Sequence, residues 1–360
     1  MDRRRLLAAG AAGTLTGTLA TRAAKGQEEV RWSLCMPWPK TTPGLGTNAT
    51  RFAERVEAMS GGRIRIDVYG AGELVPPFEV LDAVEQGTAD LAHSTPYYYA
   101  GKAPALHYFT TTPFGLTSDE LAGWLYHGDG MALWREVYAD FGVIPFYAGN
   151  SRNQAGGWFN KEITSVDDLK GLNMRIAGLG GEVLRRLGAN TVLIAPGDIA
   201  PALMAGTVDA AEWVGPWNDR AFGLQEAAKY YYVPAFHEPG AGLEIIVNQR
   251  SFAALSDDLK AIVETAAAAI SMETIADFTF HNIVSYEPLL AHGVEVRTWP
   301  DDVVDALGRT TKEVMADLAA TDELTGRIAQ SLERYLAQAD RYAQDFDQRF
   351  YAMRARALTA

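Results

Sequence analysis

Apolar and polar positions along the chain fall into two copies of one pattern. Val80-Leu81-Asp82-Ala83-Val84-Glu85-Gln86-Gly87-Thr88-Ala89-Asp90-Leu91-Ala92 parallels Ile199-Ala200-Pro201-Ala202-Leu203-Met204-Ala205-Gly206-Thr207-Val208-Asp209-Ala210-Ala211. Each copy predicts a short amphipathic helix stopped by glycine, then a turn and a small-residue strand. Upstream the copies agree in pattern though not in identity. Val30 to Leu34 predicts a strand, Asn48 to Met59 a helix and Arg63 to Val68 a second strand; Asn173 to Ala177, Gly181 to Leu187 and Thr191 to Ile194 repeat that order. Strand, helix, strand, helix, strand, written twice, predicts an α/β fold: a two-lobed clamp with two parallel or mixed sheets and right-handed crossovers. Ligands of open sheets of this kind bind outside the carboxyl ends of the strands. Two such edges facing one another make a cleft. The expected division places lobe I at residues 28–150 with the chain returning over about 240–290, lobe II at 151–239, and C-terminal helices at 291–360.

The end of the chain has a helical period instead, over Leu259 to Met272, Asp301 to Leu318 and about Ile328 to Leu358. The last of these spaces Leu332, Tyr335, Leu336, Ala339, Tyr342, Phe346 and Phe350 by three and four residues, an apolar stripe along one helix face. It either packs across its own lobe or reaches a second subunit.

Residues 1–27 are set aside as a targeting segment. Arg3-Arg4-Arg5-Leu6-Leu7 precedes a mild apolar run from Ala8 to Ala20, and Arg22 and Lys25 follow near the expected cleavage point, which reads as a twin-arginine export signal. That segment carries five basic residues and one acidic, so the formal charge of −13 for the whole chain becomes −17 without it. A chain this acidic is unsuited to nucleic acid or anionic lipid as a partner. An anionic ligand then needs a local cationic group. Cys35 is the only cysteine, which excludes a disulfide framework and a cysteine metal cluster.

The sequence holds no G-x-S-x-G elbow, H-E-x-x-H pair or P-loop, and His93, His107, His127, His237 and His281 are dispersed. Met174-Arg175-Ile176-Ala177-Gly178-Leu179-Gly180-Gly181 looks like the start of a dinucleotide-binding turn, which keeps open a secreted dinucleotide-dependent enzyme. Val183 stands where the third glycine belongs, however, and the next strand ends at Ile194-Ala195-Pro196 without an acid for a ribose. Groups suited to binding are more plentiful. Arg175 lies in an otherwise apolar strand, where it serves either a bidentate clamp on a ligand carboxylate or an internal ion pair. Glu212, in Ala211-Glu212-Trp213-Val214-Gly215-Pro216-Trp217, needs a cation or a donor. With Gln154 and backbone carbonyls it forms a hard-oxygen set suited to Na⁺ or Ca²⁺ and not to zinc; a salt bridge is the alternative. Tyr97-Tyr98-Tyr99 and Tyr230-Tyr231-Tyr232, the second followed by Phe236-His237-Glu238, supply rings and hydroxyls at expected strand ends.

These residues carry a resemblance. The chain resembles the solute-binding subunits of tripartite ATP-independent periplasmic (TRAP) transporters, the DctP family, over nearly its whole mature length. The resemblance rests on Gly70-Ala71-Gly72-Glu73-Leu74-Val75-Pro76, Glu85-Gln86-Gly87-Thr88-Ala89-Asp90, Asp168-Leu169-Lys170-Gly171-Leu172-Asn173-Met174-Arg175 and Gly206-Thr207-Val208-Asp209-Ala210. Tyr97-Tyr98-Tyr99, Gly149-Asn150, Gln154, Gly156-Gly157-Trp158-Phe159 and Glu212-Trp213-Val214-Gly215-Pro216 are similar to the alpha-keto acid-binding branch. The resemblance implies a periplasmic, non-catalytic protein that hands a small organic carboxylate, a 2-oxo or 2-hydroxy monocarboxylate such as pyruvate, to membrane subunits. It further implies Arg175 as the carboxylate clamp and a cation, Na⁺ before Ca²⁺, held by Gln154, Glu212 and the Trp213 carbonyl. Asn150, Tyr97, Tyr98, Trp213 and Glu238 join Arg175 and Gln154 as substrate-binding candidates. A homodimer through an exchanged C-terminal helix is also implied. Two departures bear on the ligand: Arg152 could serve a second anionic group, as in a dicarboxylate or sugar acid, and His237 stands where the branch has a tryptophan.

Overall fold

The computed structural model describes residues 29–359; the expected targeting segment, residues 1–27, lies outside them. The strands are β1 Val30–Cys35, β2 Ile64–Tyr69, β3 Leu91–Ser94, β4 Val143–Asn150, β5 Gly157–Phe159, β6 Asn173–Arg175, β7 Asn190–Val192, β8 Ala210–Ala211, β9 Tyr230–Tyr232, β10 Gly242–Asn248 and β11 Glu295–Arg297. They form a five-stranded sheet of order β2-β1-β3-β10-β4 and a six-stranded sheet of order β11-β9-β5-β8-β6-β7. The helices that matter here are α1 Gly46–Ser60, α2 Val80–Gln86, α3 Ser118–His127, α4 Gly130–Ala139, α5 Gly178–Arg186, α6 Ile199–Met204, α7 Asp257–Ala291, α8 Asp301–Ala319, α9 Glu323–Asp345 and α10 Asp347–Thr359.

The sequence repeat is a structural repeat. β1-α1-β2-α2-β3 and β6-α5-β7-α6-β8 each form a parallel three-strand unit, ordered β2-β1-β3 in one sheet and β7-β6-β8 in the other. The shared Gly-Thr-x-Asp turn does the same work in both. Gly87 closes α2 with a φ of +78°, and Gly206 follows α6 with a φ of +69°, values that suit glycine best. The aspartate carboxylates then accept from the backbone of the neighbouring strand, Asp90 from Ser33 N at 2.9 Å and Asp209 from Asn173 N at 3.0 Å. Each aspartate thereby joins the last strand of its unit to the first.

The chain crosses between sheets in two short segments, at residues 151–156 between β4 and β5 and at 233–241 between β9 and β10, and a third time through α7, which leads from β10 to β11. The strands it links, β5 and β10, run antiparallel to their neighbours, so both sheets are mixed. α7 runs well past the expected Met272. Its second half buries Thr274, Phe278, Ser285 and Leu289 while exposing Phe280, Ile283 and Val284, so apolar residues ring the helix and blur the period used to find it. It packs against β4 and α1 of the first sheet's lobe and against the Pro216–Ala221 helix of the second. The expected single helix from Ile328 is two segments, α9 and α10, broken at Phe346. Leu332 is buried and Tyr335, Leu336 and Ala339 pack on the core beside α3 and α4, whereas Tyr342, Phe346 and Phe350 are more than half exposed. The stripe thus packs on its own lobe only over its first half. No helix among the described residues is long and apolar enough to cross a membrane.

The core of the first lobe contains an acid. Glu244 of β10 is fully buried, with the Tyr138 hydroxyl 3.0 and 2.9 Å from its two oxygens, and burial pushes its carboxyl from 4.5 up to about 8. Between those values the folded chain holds a proton that the unfolded chain releases. Stability therefore falls as pH rises from about 4.5 to about 8, by at most about 1.4 kcal/mol per pH unit. Glu244→Gln keeps an acceptor for Tyr138 and removes the ionisation. Thermal melts at pH 5, 7 and 8.5 should show a flatter pH dependence in the variant and a higher melting temperature than the parent at pH 8.5; equal slopes would mean that Glu244 does not titrate in this range.

Candidate functional site

The carboxyl ends of two adjacent parallel strands supply the central pair. Arg175 ends β6, Glu212 follows β8, and the register of the strands, Arg175 opposite Ala211, brings them together. The Arg175 guanidinium donates through Nη1 to the Glu212 carbonyl at 2.8 Å and to Glu212 Oε1, and through Nε to the Ile194 carbonyl at 3.3 Å. Ala177 N donates to the same carboxylate oxygen at 2.9 Å. Both side chains are 1% exposed. Arg175 also lies over the Trp213 ring, 5.6 Å from its centroid. Burial alone would raise the Glu212 carboxyl; the charge of Arg175 outweighs it and, with His237, holds the group below the ordinary range.

Both crossovers deliver further groups to this pair. Gln154 N donates to the Glu238 carbonyl at 3.3 Å, Ala235 N to the Gln154 carbonyl at 2.9 Å, and Ala155 N to the Val214 carbonyl at 2.9 Å, which laces the two crossover segments and the 212–215 loop together. Asp219 fixes that loop from behind, accepting from Val214 N at 3.1 Å, Trp158 Nε1 at 3.0 Å and the Tyr231 hydroxyl at 2.9 Å. Several polar atoms gathered here are buried without a hydrogen-bond partner among the described residues: Gln154 Oε1, Arg175 Nη2, Glu212 Oε2, both nitrogens of His237 and both oxygens of Glu238. Stranding one such atom costs on the order of 1–3 kcal/mol, so a cluster of them indicates a site organised for something else. Burial, then the charge of Glu212, push the Glu238 carboxyl well above its ordinary range. One ligand atom each from Glu212, His237 and Glu238 lie within 4.8 Å of one another.

Beside this cluster is a cleft cavity of about 20 Å³, lined by Trp38, Thr95, Tyr97, Tyr98, Ser151, Gln154 and Trp213 among others. It draws on both lobes and both crossovers. Tyr97 and Tyr98 stand edge to face in the turn after β3, their centroids 5.0 Å apart.

The bacterial extracellular solute-binding protein family 7 model, DctP, matches residues 36–322. The chain belongs to that family. It is 40% identical over 327 residues, 90% of this chain and 88% of the other, to the monocarboxylate 2-oxoacid-binding periplasmic protein of a Nostoc species. Among solved structures, a TRAP transporter solute-binding protein from Bordetella bronchiseptica, with calcium and picolinate in one active site of a mixed-occupancy dimer, superposes with a TM-score of 0.89 at 34% identity, covering 92% of this chain and 99% of that one. A TRAP periplasmic solute-binding protein from Pseudoalteromonas atlantica, with bound sodium and pyruvate, gives a TM-score of 0.88 at 36% identity over 90% and 99%. This is a family of transport proteins and not of enzymes, which removes the dinucleotide-dependent alternative. Gly178-Leu179-Gly180-Gly181 accordingly opens α5 beside the Arg175 pair.

Of the residues singled out in the sequence of this solute-binding protein, the structure gathers Arg175, Glu212, Gln154, Trp213 and Glu238, with Tyr97 and Tyr98 at the adjoining cavity. Asn150 is fully buried at the end of β4 but does not line the cavity; its Oδ1 accepts from Arg152 N at 2.8 Å. Arg152 turns outward to Asp119, 3.2 Å away, which leaves no second cation aimed at the ligand space from that position. Of the two alternatives left open for Arg175 the structure shows the ion pair, and Nη2 has no partner among the described residues. Trp38, Thr95 and Ser151 went unnoticed. Trp38 follows β1 as Trp213 follows β8, so its place after the strand's carboxyl end was the available signal.

Removing the guanidinium leaves Glu212 charged and buried with one backbone donor. Arg175→Ala should destabilise the ligand-free protein by about 3–5 kcal/mol, read as a shift in urea midpoint at unchanged slope. A loss below about 1 kcal/mol would mean that the pair is solvated in the free protein.

Proposed function

We propose that this protein is the extracytoplasmic receptor of a TRAP transporter for a small 2-oxo or 2-hydroxy monocarboxylate such as pyruvate, delivered with an accompanying cation to the membrane subunits. The observation that carries this reading is the buried Arg175 with a free guanidinium nitrogen, standing beside carboxylate and carboxamide oxygens that also lack partners. Arg175 Nη2 is the donor left for a ligand carboxylate. Gln154 Oε1, Glu212 Oε2, Glu238 and the Trp213 carbonyl are the oxygens available to a hard cation, and their chemistry fits Na⁺ or Ca²⁺. A cation bound there offsets the carboxylates and gives ligand oxygens a fixed point of attachment. The similar proteins that carry pyruvate with sodium, or picolinate with calcium, favour the same pairing.

In this reading the lobes part at the crossovers, admit the acid and close over it. Trp213, Tyr97 and Tyr98 then exclude water, which strengthens the contact to Arg175. The outward turn of Arg152 favours one carboxylate over two. Residues 1–27 carry the chain out by the twin-arginine route, and the exposed half of the C-terminal stripe serves a homodimer.

The test is a thermal-shift and calorimetric screen of the mature chain against pyruvate, longer 2-oxo acids, lactate, dicarboxylates and sugar acids, each with Na⁺, Ca²⁺ or chelator. A ligand at 100 times its Kd adds about 2.7 kcal/mol of stability. Stabilisation by 2-oxo or 2-hydroxy monocarboxylates that requires the cation is expected, whereas a response confined to dicarboxylates, or to none of the acids, overturns the ligand class. The dimer has its own check. Deleting residues 347–360 removes a helix with no buried residue, so light scattering should show a monomer whose melting temperature follows that of the diluted parent; an unchanged dimer would place the interface elsewhere.

A further inference from the structure

His237 adds something that oxygen donors alone do not. Its side chain is fully buried, neither ring nitrogen has a hydrogen-bond partner among the described residues, and Nε2 lies 3.7 Å from Glu212 Oε2. That separation is too long for a hydrogen bond. It is near the spacing of two ligands that each stand about 2.0–2.2 Å from one ion. Glu238, neither of whose oxygens has a partner among the described residues, brings one of them within the same 4.8 Å cluster. The ring is held in place by packing: a Cβ at Gly180 would fall 2.5 Å from the His237 Cβ, so glycine there leaves room for it, and Phe236 stands edge-on at 5.2 Å between centroids.

We infer that the cation subsite of this protein accepts a divalent transition-series ion, of the Zn²⁺, Co²⁺ or Mn²⁺ class, with the His237 imidazole as a ligand beside Glu212 and Glu238. The inference rests on the cation-assisted reading above and sharpens it for this chain. Imidazole suits zinc and its neighbours and is a poor ligand for Na⁺ and Ca²⁺, which take oxygens. Charge favours a divalent over a monovalent ion. Glu212, a bound carboxylate and Glu238, once an ion displaces its proton, set three negative groups against the one guanidinium of Arg175, and a divalent ion balances the remainder where a monovalent ion leaves net charge buried.

The test strips the mature protein with chelator and titrates Ca²⁺, Zn²⁺ and Co²⁺ in the presence of pyruvate by calorimetry, for the parent, His237→Gln and a surface control, His292→Gln. Pulsed electron paramagnetic resonance of the Mn²⁺-loaded parent reads nitrogen ligation directly and needs no variant. The expected result is imidazole nitrogen coupling in the parent and a ratio of Zn²⁺ to Ca²⁺ affinity that falls at least tenfold in His237→Gln and stays within about twofold in His292→Gln. Ca²⁺ and pyruvate binding to the parent, with an unchanged affinity ratio in His237→Gln and no nitrogen coupling, overturns the imidazole assignment alone. If no cation and no acid binds the parent, the cation-assisted reading of the cleft falls, and this inference with it.

Discussion

A guanidinium and a carboxylate, taken almost wholly out of water, meet at the carboxyl ends of two neighbouring parallel strands, and the cleft is arranged around them. Burying either alone would cost several kcal/mol. Arg175 and Glu212 make burial tolerable for each other, with the Glu212 carbonyl, the Ile194 carbonyl and Ala177 N completing most of their hydrogen bonds. What they do not complete is informative. One nitrogen of the arginine and one oxygen of the glutamate are left over, and these leftover valences are where binding energy for an acid and its cation can be found.

The rest of the architecture serves to hold that pair still while letting its surroundings move. Two copies of a parallel three-strand unit give two rigid platforms, each knitted by an aspartate that accepts from the backbone of the neighbouring strand. The pair sits on the second platform and the tyrosines that face it come from the first. Gln154 and Glu238 lie on the two short crossovers, with α7 as a third connection between the sheets. The partnerless oxygens of Gln154 and Glu238 thus stand on segments that join the two sheets. α7 packs on both lobes.

Particular residues show how far the sequence could be read. The repeat was legible because Gly87 and Gly206, Asp90 and Asp209 do identical local work, and local work leaves an identical local signature. Arg175 and Glu212 stood out because charged groups in apolar strands need a reason to be there. His237 was noticed as an odd residue in a familiar pattern, but its distance of 3.7 Å from Glu212 joins segments 25 positions apart, and nothing local encodes that. Arg152 was misleading for the opposite reason: its position beside Gln154 suggested the cleft, while the backbone, with a φ of +66°, turns the side chain to Asp119. α7 escaped full delineation because a helix packed on several sides lacks the single apolar face that a period search detects.

By itself the sequence determined what short-range physics controls: two α/β units, helix stops at glycine, a strand carrying an arginine that could not be idle, and the composition of an exported acidic protein. The tertiary structure alone decided which valences remained free. Whether Arg175 is a clamp, an ion pair or both, which oxygens surround it, and where Arg152 points depend on how two distant crossovers and a loop are laced together by backbone hydrogen bonds. Such bonds are made by groups that every residue carries, so they leave no trace in the identity of the side chains.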